Sequence, residues 1–264
     1  MPETQSPYIL GETGDFAVVF KPPRMHCAPL QEVGPLQAGE PPQPTLLDWY
    51  AAAFPPVMEP CGRKKAEGGL LHRLDFETSG LVLFAKNQGA LDHLLAQQTR
   101  GNFVKEYTAV CRKAPALPPS FPPPPAICLF GQGGFDIESF FRPFGPGRKQ
   151  VRPVVNAPHR RSARSETAQD QGRPYRTKIL GVSDKAPCDD LPDHLRFTAR
   201  LRRGFRHQVR CHLAWIGYPI LNDPLYSQNT PEGTLALTAD ALSFDDPESG
   251  CRREYRIPAT TLQA

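Results

Sequence analysis

Proline is the residue type that most constrains how this chain can fold. It occupies 31 of 264 positions, about 12%, against a usual share of about 5%. Seven of the eleven residues in Pro115–Pro125 are proline. A proline ring cannot continue a helix, and it lacks the N–H that a central strand needs. The prolines therefore exclude an all-helical bundle and a coiled coil, and they predict long irregular connections between short regular elements.

Apolar patterning and cysteine usage exclude further classes. The longest mostly apolar stretch without a charge, Leu213–Leu221, has nine residues, whereas a membrane helix needs about 20. The first residues include early acids and lack the basic-then-apolar pattern of a secretory leader, so we expect neither a leader nor a membrane span. The seven cysteines form no C-x-x-C pair. They predict neither a disulfide framework nor a zinc ribbon, and they favour a cytoplasmic location.

Hydrophobic periodicity predicts an α+β fold. The predicted strands are Phe16–Phe20, Gly80–Ala85, Phe103–Cys111, Leu195–Leu201, Leu235–Leu237, Leu242–Phe244 and Tyr255–Ile257. The predicted helices begin at Asn87, ending near Gly101, and at His207, ending at Ile216. Strands outnumber helices and do not alternate regularly with them, which disfavours a doubly wound sheet.

The densest group of reactive side chains lies between two apolar runs. The segment Leu71–Gly80 contains His72, Arg73, Asp75, Glu77, Thr78 and Ser79. Loops carried by a rigid scaffold are common positions for catalytic groups. The same composition is also typical of a turn whose side chains only cap backbone groups.

A second group is strongly basic. Five arginines and two histidines lie in Arg200–His212, and no acid occurs between Asp193 and Asp223. The spacing of Arg203, Arg206 and Arg210 predicts one helix face. Because like charges repel, a phosphate-bearing partner at the helix N-terminus would offset their cost. The alternative is a solvated face whose acidic partners lie elsewhere; the net charge of +4 indicates a polyanionic partner only weakly.

Five motifs occur in order along the chain. They are Val18-Val-Phe-Lys-Pro22; His72-Arg-Leu-Asp75 through Leu81 with Phe84-Ala-Lys86; Lys105-Glu-Tyr-Thr-Ala109; Gly204-Phe-Arg-His-Gln-Val-Arg210 with Cys-His-Leu-Ala214; and Gly217 through Tyr226. Together they resemble the RluA-type RNA pseudouridine synthases. Five motifs in register are far more specific than any one of them.

The resemblance implies a fold, an activity and a partner. The fold is a mixed, largely antiparallel sheet with flanking helices and a central RNA-binding cleft. We expect one catalytic domain over residues 1–264, without an S4 domain and with a proline-rich, basic insertion at about 112–164. The implied activity converts specific uridines of structured ribosomal or transfer RNA to pseudouridine, with no cofactor and no metal. We expect a monomer.

The resemblance also implies roles for individual residues. Asp75 matches the catalytic aspartate, Tyr107 the tyrosine that stacks on the target base, and Arg210 the arginine that pairs with the aspartate. The residues implied to contact the substrate are Arg73, Thr78, Lys105, Arg206, His207 and Gln208. The motifs do not decide whether the carboxylate acts on the ribose or adds to C6 of the uracil.

Three departures from the family pattern stand out. Phe205-Arg206 replaces the usual Arg-Thr, and Thr238 replaces a histidine, which we interpret as a local change in hydrogen bonding. The connection after Cys111 is unusually long. Its segment Arg142–Arg164 holds seven Arg or Lys and no acid, and is either a solvated surface or an RNA-binding arm. In that arm we expect Arg160, Arg161 and Arg164 to contact phosphates.

Two other functions remain open. One is an RNA-binding protein of the same fold without catalysis, although the filled Asp75, Tyr107 and Arg210 positions disfavour it. The other is a metal-dependent nuclease or hydrolase with ligands from His72, Asp75, His207 and His212. Its spacings match no defined zinc motif, and neighbouring arginines would repel a dication.

Overall fold

The structure is a computed structural model that describes residues 5–29, 43–62, 64–129, 133–156, 172–183 and 194–258. Its helices are α1 Leu46–Ala53, α2 Gln88–Arg100 and α3 Gln208–Trp215. Its strands are β1 Tyr8–Glu12, β2 Phe16–Lys21, β3 Ser79–Ala85, β4 Val104–Arg112, β5 Phe135–Phe144, β6 Gln150–Val154, β7 Tyr175–Ser183, β8 His194–Leu201, β9 Leu237–Asp245 and β10 Arg252–Arg256. These elements confirm the predicted α+β class.

The chain divides into two compact units, described separately below. The first comprises residues 1–105 and 238–264, and the second comprises residues 106–237. The chain passes from the first unit to the second within β4 and returns within β9. A single catalytic domain stays a prediction.

The first unit is built on the order β1-β2-β3-β9, with β10 paired to β9. Neighbours are antiparallel except β3 and β9, which are parallel. Strand β2 is buried along its whole length, which explains its continuous apolar run, because both of its faces are covered. The predicted strands at Phe16–Phe20 and Gly80–Ala85 are therefore confirmed.

Local capping defines the helices of the first unit. In α2 the Asn87 side chain accepts from the Ala90 N–H at 2.9 Å, and Gly101 ends the helix with a left-handed φ of 75°. Both predicted ends are thus confirmed. Helix α1 was not predicted, although its capping box of Thr45 and Asp48 was visible in the sequence.

The second unit follows the order β4-β8-β7-β5-β6. Strands β5 and β6 form an antiparallel hairpin inside the predicted irregular insertion. Pro143 lies in the half of β5 that pairs only with β6, and Pro153 lies in β6, the last strand of the order. Each proline can therefore turn its side without an N–H away from a paired strand. Proline is confined to such edge positions because it cannot donate to a ladder.

Helix α3 is buried around its whole circumference. Two sequence predictions for the geometry around it and before β9 are wrong. Arg203 and Arg206 precede α3 and do not share a helix face with Arg210, because His207, with a left-handed φ of 56°, interrupts helical geometry. The predicted strand Leu235–Leu237 is not a separate strand, because its last residue, Leu237, is the first residue of the longer strand β9.

Candidate active site

The reactive loop of the first unit connects a buried bridge at Leu70 to β3. The Thr78 N–H donates to the Asp75 carbonyl at 3.1 Å, which closes a turn, and the Asp75 side chain is half-buried. Gly80 follows with φ +127°, and a Cβ there would lie 2.3 Å from the Ala239 carbonyl oxygen. Only glycine fits where β3 meets β9 so closely.

Thr238, one of the departures from the family pattern, lies beside this loop. Its hydroxyl is 3.0 Å from the Ser79 hydroxyl, and the two residues are paired between β9 and β3. The side chain therefore supplies a local hydrogen bond at the base of the Asp75 loop, as interpreted from the sequence.

A buried ammonium group lies near Asp75. Burial lowers the pKa of Lys105 to about 8, and the negative charge of Asp75 opposes that shift. At pH 7 the Lys105 side chain is therefore charged and attracts the carboxylate. Lys105 remains a predicted RNA contact, and the structure gives it this electrostatic partner within the first unit.

The other predicted residues of the loop differ in exposure. Arg73 is exposed, and its guanidinium lies 3.4 Å from a Glu67 carboxylate oxygen in a solvated ion pair. Thr78 is buried, and its hydroxyl has no hydrogen-bond partner within the part of the chain that the structure describes. Both stay predicted substrate contacts.

In the second unit, Tyr107 lies on β4 and is buried. Arg210 lies on α3 and forms two hydrogen bonds of 2.8 Å with the two carboxylate oxygens of Asp223. The arginine and aspartate side chains are 2% and 0% exposed. Asp223 was missed as this partner, although it lies in the quoted motif Gly217–Tyr226. Pairing of Arg210 with Asp75 stays a prediction.

Two of the residues just before α3 contact backbone or a tyrosine. Arg206 is exposed, and its guanidinium donates to the carbonyls of Arg148 and Gln150 at 2.8 and 3.2 Å. The His207 Nδ1 atom lies 3.2 Å from the Tyr226 hydroxyl. Both remain predicted RNA contacts, and these bonds orient their side chains.

Gln208 is buried, and its amide is fully engaged with protein groups. Its nitrogen donates to the Arg176 carbonyl at 2.9 Å and to the Thr177 hydroxyl at 3.2 Å. Its oxygen accepts from the Phe205 N–H at 2.9 Å. Such bonding favours a role in holding the turn before α3, and substrate contact by Gln208 stays a prediction.

Phe205, where the family usually has arginine, joins an aromatic cluster. Its ring is stacked on Phe141 at 5.0 Å and lies 4.9 Å from the Tyr175 ring. The Arg203 guanidinium lies 4.1 Å from the centre of the Tyr175 ring. Where the family usually has a polar side chain, Phe205 therefore packs against β5 and β7.

Acidic partners for the arginine cluster come from distant parts of the chain. The Arg200 guanidinium donates to Glu106 on β4 at 2.8 and 2.5 Å, and Arg210 is paired with Asp223. For these two arginines the acids are supplied elsewhere in the chain, as the alternative interpretation expected, but Arg210 is buried and is not part of a solvated face. The absence of a nearby acid in the sequence was therefore no measure of unpaired charge.

The hairpin of β5 and β6, residues 135–154, carries several exposed basic side chains and is called the basic hairpin below. Arg142, Arg148 and Lys149 are exposed. No acid among the described residues forms a salt bridge with these three side chains. Arg160, Arg161 and Arg164, also expected to contact phosphates, lie outside the described residues.

The histidines considered as metal ligands have protein partners. His72 accepts from the Leu83 N–H at 3.3 Å, and burial, aided by the charge of Lys105, holds its pKa well below the usual range. His212 lies 2.9 Å from the Ser139 hydroxyl and 2.8 Å from that of Thr177, and burial lowers its pKa to about 3. Over the described ranges, no three His, Cys, Asp or Glu side chains are grouped to hold a metal ion.

Among the described residues, no helix combines the length and the hydropathy that a membrane span requires.

Comparison with known proteins identifies the class that this fold and site define. The family model for RNA pseudouridylate synthase matches residues 15–215, which include the Asp75 loop, Tyr107 and Arg210. The chain therefore belongs to the RNA pseudouridylate synthase family, and the resemblance to the RluA-type members is confirmed.

Curated relatives carry names from the same family. The chain is 26% identical to ribosomal large subunit pseudouridine synthase D of Haemophilus ducreyi, over 95% of this chain and 66% of the relative. It is also 26% identical to the Escherichia coli protein of that name, over 82% of this chain and 58% of the relative. An uncharacterized RNA pseudouridine synthase of Bacillus subtilis, YlyB, is 27% identical over 72% and 52%. The chain thus spans between about half and two thirds of these relatives.

Solved structures agree on the fold. Human RNA pseudouridylate synthase domain containing 1 is 18% identical with a TM-score of 0.60, and the match covers 98% of this chain and 85% of that one. Human RNA pseudouridylate synthase domain containing 4 is 16% identical with a TM-score of 0.59, over 97% and 90%. At these identities the likeness supports the predicted pseudouridine synthase fold and nothing finer.

Proposed function

We propose that this chain isomerises specific uridines of structured RNA to pseudouridine, with Asp75 as the catalytic carboxylate. The observation that carries the proposal is the Asp75 loop itself, which presents a half-buried carboxylate beside the buried ammonium of Lys105. Membership in the family and the names of the relatives support the same reaction.

The reaction needs few protein groups. The ribose C1′–N1 bond breaks, a C1′–C5 bond forms, C5 loses its hydrogen and N1 gains one, so no external oxidant or donor is required. A carboxylate serves either as a nucleophile or as a base. The uridine must also leave its stack, which costs a few kcal/mol.

Tyr107 and Arg210 complete the proposed machinery. Tyr107 would stack on the base and retain the detached uracil, because aromatic faces bind bases whatever their sequence. Arg210 would act close to the carboxylate, as the family resemblance implies. We further propose that the substrate is ribosomal or transfer RNA, and that the protein acts as a monomer in the cytoplasm.

The proposed function is tested with RNA tritiated at uridine C5. Purified protein is incubated with unmodified large-subunit ribosomal RNA and with transfer RNA transcripts, and released tritium is measured. We expect tritium release from one of these RNAs, because C5 loses its hydrogen when it becomes bonded to C1′ of the ribose. RNA binding without release would favour the alternative of a non-catalytic RNA-binding protein.

The basic hairpin is predicted to add affinity for RNA. Reversing Arg142, Arg148 and Lys149 to glutamate should weaken binding, since each lost phosphate contact removes counterion release. The slope of log affinity against log salt should fall by about 2, at roughly 0.7–0.9 for each contact. Titrations at several salt concentrations measure both quantities.

The matched control replaces three exposed basic residues of the first unit, Lys64, Lys65 and Arg100, with glutamate. It therefore changes the net charge by the same amount as the variant of the basic hairpin. It should leave the salt slope nearly unchanged. Equal losses in the two triple variants would show that the basic hairpin acts only through net charge.

A further inference from the structure

We propose that Lys21 and Cys27 are positioning residues that hold backbone groups of the two residues flanking Asp75, Leu74 and Phe76. Lys21 is the last residue of β2, and Cys27 lies in the segment that follows it, within the first unit. This inference rests on the proposed function for its catalytic meaning, because it concerns the carboxylate to which that function assigns the reaction.

Cys27 holds the residue before Asp75. Its sulfur accepts from the Leu74 N–H at 3.2 Å, and its thiol donates to the Leu74 carbonyl at 3.5 Å. Burial raises the pKa of Cys27, so the thiol keeps the proton it donates. Cys27 and Leu74 are both buried, and these two contacts satisfy Leu74 backbone groups that are shielded from water.

Lys21 holds the residue after Asp75. Its side chain is 0% exposed, and its ammonium donates to the carbonyls of Pro22, Met25 and Phe76 at 2.8, 2.9 and 3.3 Å. Three donors therefore meet three carbonyls. Burial lowers the pKa of Lys21 to about 8, which leaves the group charged at pH 7.

One further contact joins the same segment to the loop, because the centre of the His26 ring lies 4.6 Å from the centre of the Phe76 ring. The segment after β2 thus contacts the residues on both sides of Asp75. We call the contacts of Lys21 and Cys27 with Phe76 and Leu74 the clamp. A reacting group displaced by 1 Å loses about 10²-fold in rate, so the clamp matters for catalysis even though the Lys21 and Cys27 side chains need not touch RNA.

The test replaces Cys27 with valine, which fills a similar volume but neither donates nor accepts, and with serine, which does both. We expect Cys27→Val to lower the single-turnover rate at saturating RNA about tenfold, with the RNA dissociation constant unchanged. Cys27→Ser should recover most of that rate. A purely structural role would instead lower stability in the valine variant without this split between rate and binding.

Cys111→Val is the matched control, because Cys111 is also a buried cysteine but lies on β4 and has no hydrogen bond to Leu74. It should keep the wild-type rate. Equal rates for all folded cysteine variants would overturn the proposed positioning role.

Hydrogen exchange separates this inference from the proposed function. In Cys27→Val the Leu74 amide should exchange at least tenfold faster than in the wild-type protein, whatever the activity. Unchanged exchange at Leu74 would overturn the clamp. An inactive wild-type protein would overturn the proposed function while the exchange measurement still decided the clamp.

Discussion

Asp75→Asn is expected to abolish pseudouridine formation while RNA binding is retained. Asparagine keeps the shape of the side chain but removes the charge, the nucleophilic oxygen and the basicity that the reaction needs. Removing a nucleophile or a general base lowers turnover by about 10³-fold or more in well-studied enzymes. Tritium release from C5-labelled RNA measures the loss, and an RNA titration measures binding.

The same loop offers a matched control. Glu77 lies two residues further on, and its carboxylate pairs with Arg24 at 3.7 Å. Glu77→Gln makes the same chemical change and should leave turnover within about twofold, because an exposed ion pair contributes only about 0–1 kcal/mol. Normal turnover in Asp75→Asn would show that another group carries the reaction.

Asp223→Ala is expected to produce the largest loss of stability. The change leaves the Arg210 guanidinium, 2% exposed, as a buried charge without its bidentate partner. Breaking a buried pair in this way costs about 3–5 kcal/mol. The carboxylate also accepts from the N–H groups of Leu225 and Tyr226 at 2.9 and 3.1 Å, so the turn after it loses its cap as well.

Urea unfolding measures this loss against an exposed pair. The Arg176 guanidinium contacts Glu138, and both side chains are well exposed. Glu138→Gln should cost less than about 1 kcal/mol. A loss of that small size in Asp223→Ala would mean that the Arg210–Asp223 pair contributes no more than a surface contact. A typical domain has a free energy of unfolding of about 5–15 kcal/mol, so the expected loss is readily measured.

The elements that could be predicted are those specified by neighbouring residues. The apolar run of β3 and the periodic leucines of α2, with its Asn87 and Gly101 ends, depend on local burial and local hydrogen bonds. The hairpin of β5 and β6 could not be predicted in this way. Its prolines oppose a strand locally, and only the position of each strand edge makes them acceptable.

The sequence by itself determined the family, the α+β class and the position of the candidate loop around Asp75, because ordered motifs and hydrophobic periodicity are local properties of the chain. The tertiary structure alone decided which groups meet. It pairs Arg200 with Glu106 across 94 positions and brings the Cys27 sulfur to Leu74 across 47. Such partners depend on strand order and register, which no local pattern encodes. The charge and positioning of the candidate site were therefore settled only by the folded chain.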